Sequence, residues 1–246
     1  MRAFVIGLVA AALAATILPA AALAADKAPA LTPEARAAGM KAAPELVTAA
    51  GLDCDPTDAR LLGQSTDQKT KVTSKFYELV CKNAEGFIVS QPVKAGPPVQ
   101  AFTCLEVAAS PKSGVACILP GNADPKAGLQ PLVEKSEPGC QVTAARGIGH
   151  NATVTEFEVA CAGGAGYIVD APYPLSMNKP AHFNPCLAFS PPKCTLSDEA
   201  STDAYFNSLV SKSGKPCQVK GRRYVGAAGD GSEFFEVACQ DGKGYM

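Results

Sequence analysis

The chain has only two histidines, His150 and His182, and no Cys-x-x-Cys anywhere. Zinc sites draw on closely spaced cysteine and histidine pairs, so no metal is expected. A thioredoxin-like redox role falls with the same missing motif. There is no Gly-x-Ser-x-Gly, no His-Glu-x-x-His, no phosphate loop and no Gly-x-Gly-x-x-Gly opening a helix after a strand. The sequence therefore names no catalytic residue and no cofactor. Charge is scarce too: 22 basic and 23 acidic residues with no Lys/Arg run. That balance gives no electrostatic footprint for nucleic acid or for an anionic membrane surface.

The N-terminus is what compartment arguments rest on. Arg2 precedes an uncharged apolar stretch from Ala3 to Leu18, and Ala22-Leu23-Ala24 has the small-x-small form of a cleavage site. Residues 1–24 thus read as a bacterial secretory signal peptide, with 25–31 a flexible lead-in. No basic stop-transfer cluster follows, so no membrane anchor is expected, and periplasm or medium is the expected location. Losing Arg2 leaves 21 basic against 23 acidic residues, a net of −2.

What the chain does have is one string written three times. It reads L-V-x6-C-x5-R-x-[LIV]-G-x(7–13)-[YF]-E-[LV]-x-C-x4-G-[FY], starting at Leu46, Leu132 and Leu209. The expected division is 32–119, 120–196 and a shortened 197–246. Each copy opens with helix. Thr32-Pro33 is a helix start, and Pro44 divides the run into two short helices, about 33–42 and 44–50, ended by Gly51. Asp124-Pro125 opens the second copy's helix and Pro131 restarts it. Ser197 caps the third, over 198–212, with Leu209 and Val210 sharing a face with Tyr205 and Phe206. A strand, a turn, a returning strand, a Gly-bearing turn and a third strand follow each helix. The second hairpin should turn between His150 and Asn151. Pro-rich connectors come next, about 91–99 and 171–174. The third copy reaches only the start of its third strand, which is either stunted or completed by another element.

Ten cysteines in an exported chain are most simply five disulfides. In each copy one cysteine begins the first strand and another ends the second, so they face each other at the hairpin's open end. The third copy lacks a further two cysteines together, which fits their pairing with each other. The expected bridges are Cys54–Cys81, Cys104–Cys117, Cys140–Cys161, Cys186–Cys194 and Cys217–Cys239. Small exported domains often compensate for limited burial in this way.

The recurring polar residues are Arg60, Arg146 and Arg223 with Glu78, Glu158 and Glu236. Each arginine lies six residues after its cysteine and each glutamate three before its own. Without a bulge, the arginine shares the cysteine's face and the glutamate points to the other, so the two do not meet. The glutamates then belong on a solvated outer face, with ligand contact as the alternative. The arginine stems should cover the core edge. The aromatics Phe87, Tyr167 and Tyr245 either pack on the helix or form a recurring contact surface. The glycines before them should supply positive φ. His150 and His182 read as exposed bystanders, and an enzyme would have to build its cleft around one of them.

Helix, then R-x-[LIV]-G, then Phe157-Glu158-Val159 and Gly166-Tyr167 with their counterparts, resembles the α-β-β-β unit of PepSY-type domains. Tandem disulfide-tied units are also similar to the β-lactamase-inhibitor-protein-like architecture. The resemblance implies an exported binding or inhibitory module. The expectation is an α+β chain of tandem repeats, short helices on small antiparallel three-stranded sheets, without catalysis. Its partner would be a protein or an envelope component. Phe87, Tyr167, Tyr245, Glu78, Glu158 and Glu236 are the candidate binding residues. A passive structural or envelope-associated protein is the alternative.

Overall fold

The computed structural model of the chain describes residues 31–137, 139–186, 194–229 and 232–246. The expected signal peptide falls outside the described residues, as does the lead-in apart from Leu31. The chain is α+β. Helix α1 (Pro33–Ala49) precedes a sheet of β1 (Pro56–Thr66), β2 (Thr73–Cys81), β3 (Phe87–Pro92) and β4 (Gln100–Thr103). A short helix α2 (Cys104–Ala108) and two single 3-10 turns lead to α3 (Pro125–Ser136). The second sheet holds β5 (Val142–His150), β6 (Val154–Cys161), β7 (Gly166–Pro172) and β8 (His182–Pro185). Helix α4 (Glu199–Lys212) then precedes β9 (Val219–Ala227), β10 (Glu233–Cys239) and β11 (Gly244–Tyr245). Strand order is β1-β2-β3-β4, β5-β6-β7-β8 and β11-β10-β9, with every pairing antiparallel. The first two sheets are therefore four-stranded, not three-stranded. The added strands, β4 and β8, are four residues each and emerge beyond the proline-rich connectors.

Thr32 caps α1 by accepting the Ala35 N–H at 3.1 Å, with proline at the first helical position. The expected break at Pro44 does not occur: α1 is one helix. Proline removes one N–H from the ladder. Ala43 and Leu46, on either side of it, are fully buried against the sheet and keep both halves on one face. Helix α3 likewise runs through Pro131. Asp198 rather than Ser197 caps α4, accepting the Ser201 N–H at 2.7 Å. Val210 and Phe206 turn inward, but Leu209 is exposed, so the apolar stripe is narrower than expected.

All five expected disulfides are present. The three hairpin bridges have Cα separations of 5.1, 5.1 and 5.2 Å, ordinary for a cross-linked pair. The loops they close correspond to roughly 3 kcal/mol each on the chain-entropy account. Among the described residues no helix is long and apolar enough to cross a membrane.

The first two sheets share one core. Leu46, Leu79 and Val89 belong to the same apolar cluster as Leu132, Phe157 and Val159. Polar ties reinforce the join: Asp53 Oδ2 accepts from Ser176 Oγ at 3.0 Å and from Asn178 Nδ2 at 2.8 Å. The third sheet has a separate small cluster of Phe206, Val210, Val219 and Val237.

Candidate functional site

Arginine and glutamate do meet, in all three sheets. Arg60 pairs with Glu78, Arg146 with Glu158 and Arg223 with Glu236 across the first hairpin of each. The cause is a bulge between cysteine and arginine. The register shifts between Pro56 and Asp58, between Val142 and Ala144, and between Val219 and Gly221. One extra residue on the first strand moves the arginine to the glutamate's face. The pairing of Cys161 with Val142 rather than with Cys140, together with the two register shifts in β5, moves the hairpin tip from the expected His150/Asn151 to residues 151–153.

The glutamates of the first two sheets are not solvated. Glu78 and Glu158 are fully buried, and so is Arg60. Residues 116–122 beyond β4 and residues 194–197 beyond β8 lie over this face and satisfy it. Glu78 Oε2 takes Arg60 Nε at 2.6 Å, while Oε1 takes the Leu119 N–H at 2.8 Å and Asn122 Nδ2 at 2.9 Å. Arg60 Nη2 donates to the Ala116 carbonyl at 3.0 Å. Glu158 Oε2 takes Arg146 Nε at 2.5 Å, and Oε1 takes the N–H groups of Thr195 and Leu196 at 2.5 and 2.6 Å. A buried ion pair of this kind is tolerable because every charged atom has partners. Sulfurs of Cys104 and Cys117 lie within 4.8 Å of the Glu78 carboxylate, and those of Cys186 and Cys194 sit equally near Glu158. Bonded to each other, they offer no thiolate to a metal.

The recurring glycines serve the same cover. Gly86 and Gly166 do not have positive φ, contrary to expectation. A Cβ on Gly86 would come 2.0 Å from Asn122 Oδ1, and one on Gly166 would come 1.8 Å from Ser197 Oγ. The absent side chain admits the covering segment. Positive φ belongs instead to Gly63 and Gly149, at the second bulge of β1 and β5 (φ 138° and 147°).

Beyond the covering segment, the same face of the first sheet opens into a cleft of about 1400 Å³. Leu62, Phe76, Ile88 and Phe102 line its floor, and Ile148 and His150 reach in from the end of β5. His150 is no bystander. Its Nδ1 lies 2.6 Å from Glu106 Oε1, and its ring stacks on Tyr173 with centroids 4.2 Å apart. Glu106 is held by a capping box at the start of α2: its Oε2 takes the Thr103 N–H at 2.7 Å and the Thr103 hydroxyl at 2.9 Å. With Nδ1 held by the carboxylate, Nε2 is the ring nitrogen left for a ligand. The arrangement offers apolar surface with the fixed Glu106–His150 pair at its edge, beside Gln64, Ser65, Ser110 and Ser113.

Glu85, in the turn between β2 and β3, is a further buried acid. Its Oε1 accepts the Leu105 N–H at 3.2 Å, while Oε2 has no hydrogen-bond partner among the described residues. Burial holds its pKa well above the ordinary 4.5; the Leu105 bond opposes this, and nearby Glu106 and Asp124 add to it.

Of the six residues expected to bind, Phe87 and Tyr167 are core, and Glu78 and Glu158 are enclosed. The Tyr167 hydroxyl donates to Glu137 Oε2 at 3.2 Å, and burial raises its pKa. Only Tyr245 and Glu236 reach solvent. His182 is exposed on β8, away from the cleft lining. Sequence reasoning missed Glu106, Phe102 and Tyr173. The one local signal was Thr103-x-x-Glu106, a capping box, which says nothing about His150. Comparison with protein families, curated proteins and solved structures yields no match.

Proposed function

We propose that this is an exported, disulfide-stabilised binding protein that works without catalysis. Tandem units that open on a PepSY-like or inhibitor-like α-β-β-β run, extended by a fourth strand in the first two and delivered to the periplasm or medium, complete the reading. The observation that carries it is the cleft beside His150. An apolar floor with the Glu106–His150 pair and the polar Gln64, Ser65, Ser110 and Ser113 around it suits an envelope component with an acyl or similar apolar chain and a polar head. Five disulfides fit an oxidising compartment.

The chain has no tryptophan, so Ile148→Trp places a single indole at the cleft. Titration with dodecanoate should give a saturable blue shift. Phe102→Ala should weaken binding about tenfold, equivalent to about 1.4 kcal/mol. An indole signal that never saturates, or that Phe102→Ala leaves unchanged, overturns the cleft as the binding site.

The Glu106–His150 pair is the one observation that favours an enzyme, since a carboxylate-oriented imidazole is a general-base arrangement. Among the described residues no hydroxyl or thiol contacts the ring's second nitrogen. A hydrolytic activity abolished by His150→Gln would establish that reading over the first.

A further inference from the structure

One wall of the cleft beside His150 is the loop that the Cys104–Cys117 bond closes. Glu106, Val107, Ala109, Ser110, Ser113 and Val115 all line the cleft, and all fall between those two cysteines. The near end of this loop is tied down by groups other than the bridge. Glu106 makes the capping box with Thr103, and Glu85 accepts the Leu105 N–H. Gly147 of β5 packs so closely that a Cβ there would come 2.5 Å from the Glu106 nitrogen. Past α2 the bonds turn inward on the loop. Ala109 and Ser110 donate to the Leu105 and Val107 carbonyls, Ser113 to Ser110, and the Val115 N–H to Ser113 Oγ. At the far end Arg60 Nη2 holds the Ala116 carbonyl, and Glu78 holds the Leu119 N–H. The bridge is the covalent link between the two ends, with Cα atoms 5.8 Å apart. Cys54–Cys81 differs, because it joins the flanks of β1 and β2, which are already laddered together.

Resting on the cleft reading above, we propose that the Cys104–Cys117 bond is a redox gate on ligand binding. Oxidised, it fixes the wall over residues 106–115 against the apolar floor. Reduced, it leaves the far half of the wall on hydrogen bonds alone. A freer wall must be ordered each time a ligand binds, and affinity falls. The reductant is a dithiol. Cys117 is partly exposed whereas Cys104 is buried, so the dithiol's thiolate attacks Cys117 Sγ. A mixed disulfide forms, the Sγ–Sγ bond breaks, and Cys104 leaves as a thiolate that takes up a proton. The dithiol's second thiolate then attacks its own sulfur in the mixed disulfide and releases Cys117, which is protonated in turn. The dithiol ends as a disulfide, and the protein has gained two electrons and two protons. Reoxidation restores the wall.

The test uses the full chain carrying Ile148→Trp, with dodecanoate as the probe. The Cys104→Ala/Cys117→Ala variant should bind about tenfold more weakly than the parent. Cys217→Ala/Cys239→Ala, in the third sheet, should bind as the parent does. A second arm keeps every cysteine and decides the matter even where the double variant does not fold. Stepwise dithiothreitol treatment, with alkylation and peptide mapping, should show affinity falling as Cys104–Cys117 opens while Cys54–Cys81 and Cys140–Cys161 stay closed. Reoxidation should recover it. Equal affinity of the folded Cys104→Ala/Cys117→Ala variant and the parent overturns the gate and leaves the cleft reading standing. So does affinity that falls only when the hairpin bridges open. A parent that gives no saturable signal overturns the cleft reading, and the gate with it.

Discussion

Arg60 and Glu78 form an ion pair with neither side chain reaching solvent, while Arg223 and Glu236, the same pair in the third sheet, stand in water. The pairs have the same residues, strands and bulge. They differ in what lies above them. In the first sheet the carboxylate also holds Leu119 and Asn122, so the pair anchors the chain that encloses it.

That difference should be measurable as stability. Arg60→Ala leaves a buried carboxylate with its main counter-charge gone and should cost about 3–5 kcal/mol. Arg223→Ala removes a solvent-screened pair and should cost below about 1 kcal/mol. Urea denaturation of the two variants, followed by circular dichroism, makes the comparison. Equal losses would mean that the third pair is covered in solution.

The glycines should divide along the same line. Gly86→Ala drives a methyl into Asn122, whose side-chain amide is already committed to Glu78 and to the Leu79 carbonyl at 3.1 Å. Overpacking of that kind costs about 1–3 kcal/mol. Gly244→Ala meets only the Val237 carbonyl at 3.4 Å, an ordinary van der Waals contact, and should change stability by no more than about 0.5 kcal/mol. Thermal melts of both variants decide it, and a Gly86→Ala protein as stable as the parent would show that Asn122 is free to move.

Glu85 should leave a signature in pH. Its pKa is raised on folding, chiefly by burial. The folded state therefore binds this proton more tightly than the unfolded chain does. Its contribution favours folding below about 4.5 and is lost as pH rises through the folded value. Glu85→Gln should remove that loss, making the variant more stable than the parent at neutral pH and less dependent on pH above 4.5. Denaturation midpoints from pH 4 to 8 test this; parallel curves for the two proteins would refute it.

Much of the frame was legible in the residues. Thr32-Pro33 announced α1, and the cysteine spacing announced all five bridges, because these are local rules of capping and loop closure. The site was not legible. Parity arithmetic put Glu78 on a wet face, and the bulge at Pro56/Asp58 reversed it. That bulge carries no glycine, unlike the one at Gly63, so no residue type marks it. The recurrence of arginine with glutamate was the only hint that they belong together. His150 looked idle because its partner Glu106 is 44 residues away, on the far side of a helix and a turn.

The helix-then-hairpin order of each unit, the sulfur pairings and the α+β class came from the sequence alone, since each depends on neighbours within a hairpin or a helical turn, whereas strands β4 and β8 and helix α2 did not. Which face of each sheet is dry was decided by tertiary structure. A single inserted residue inverts a strand's parity, and the groups that satisfy Glu78 come from 41 and 44 residues down the chain. Burial of a charge is a property of the finished enclosure, and only the folded chain has one.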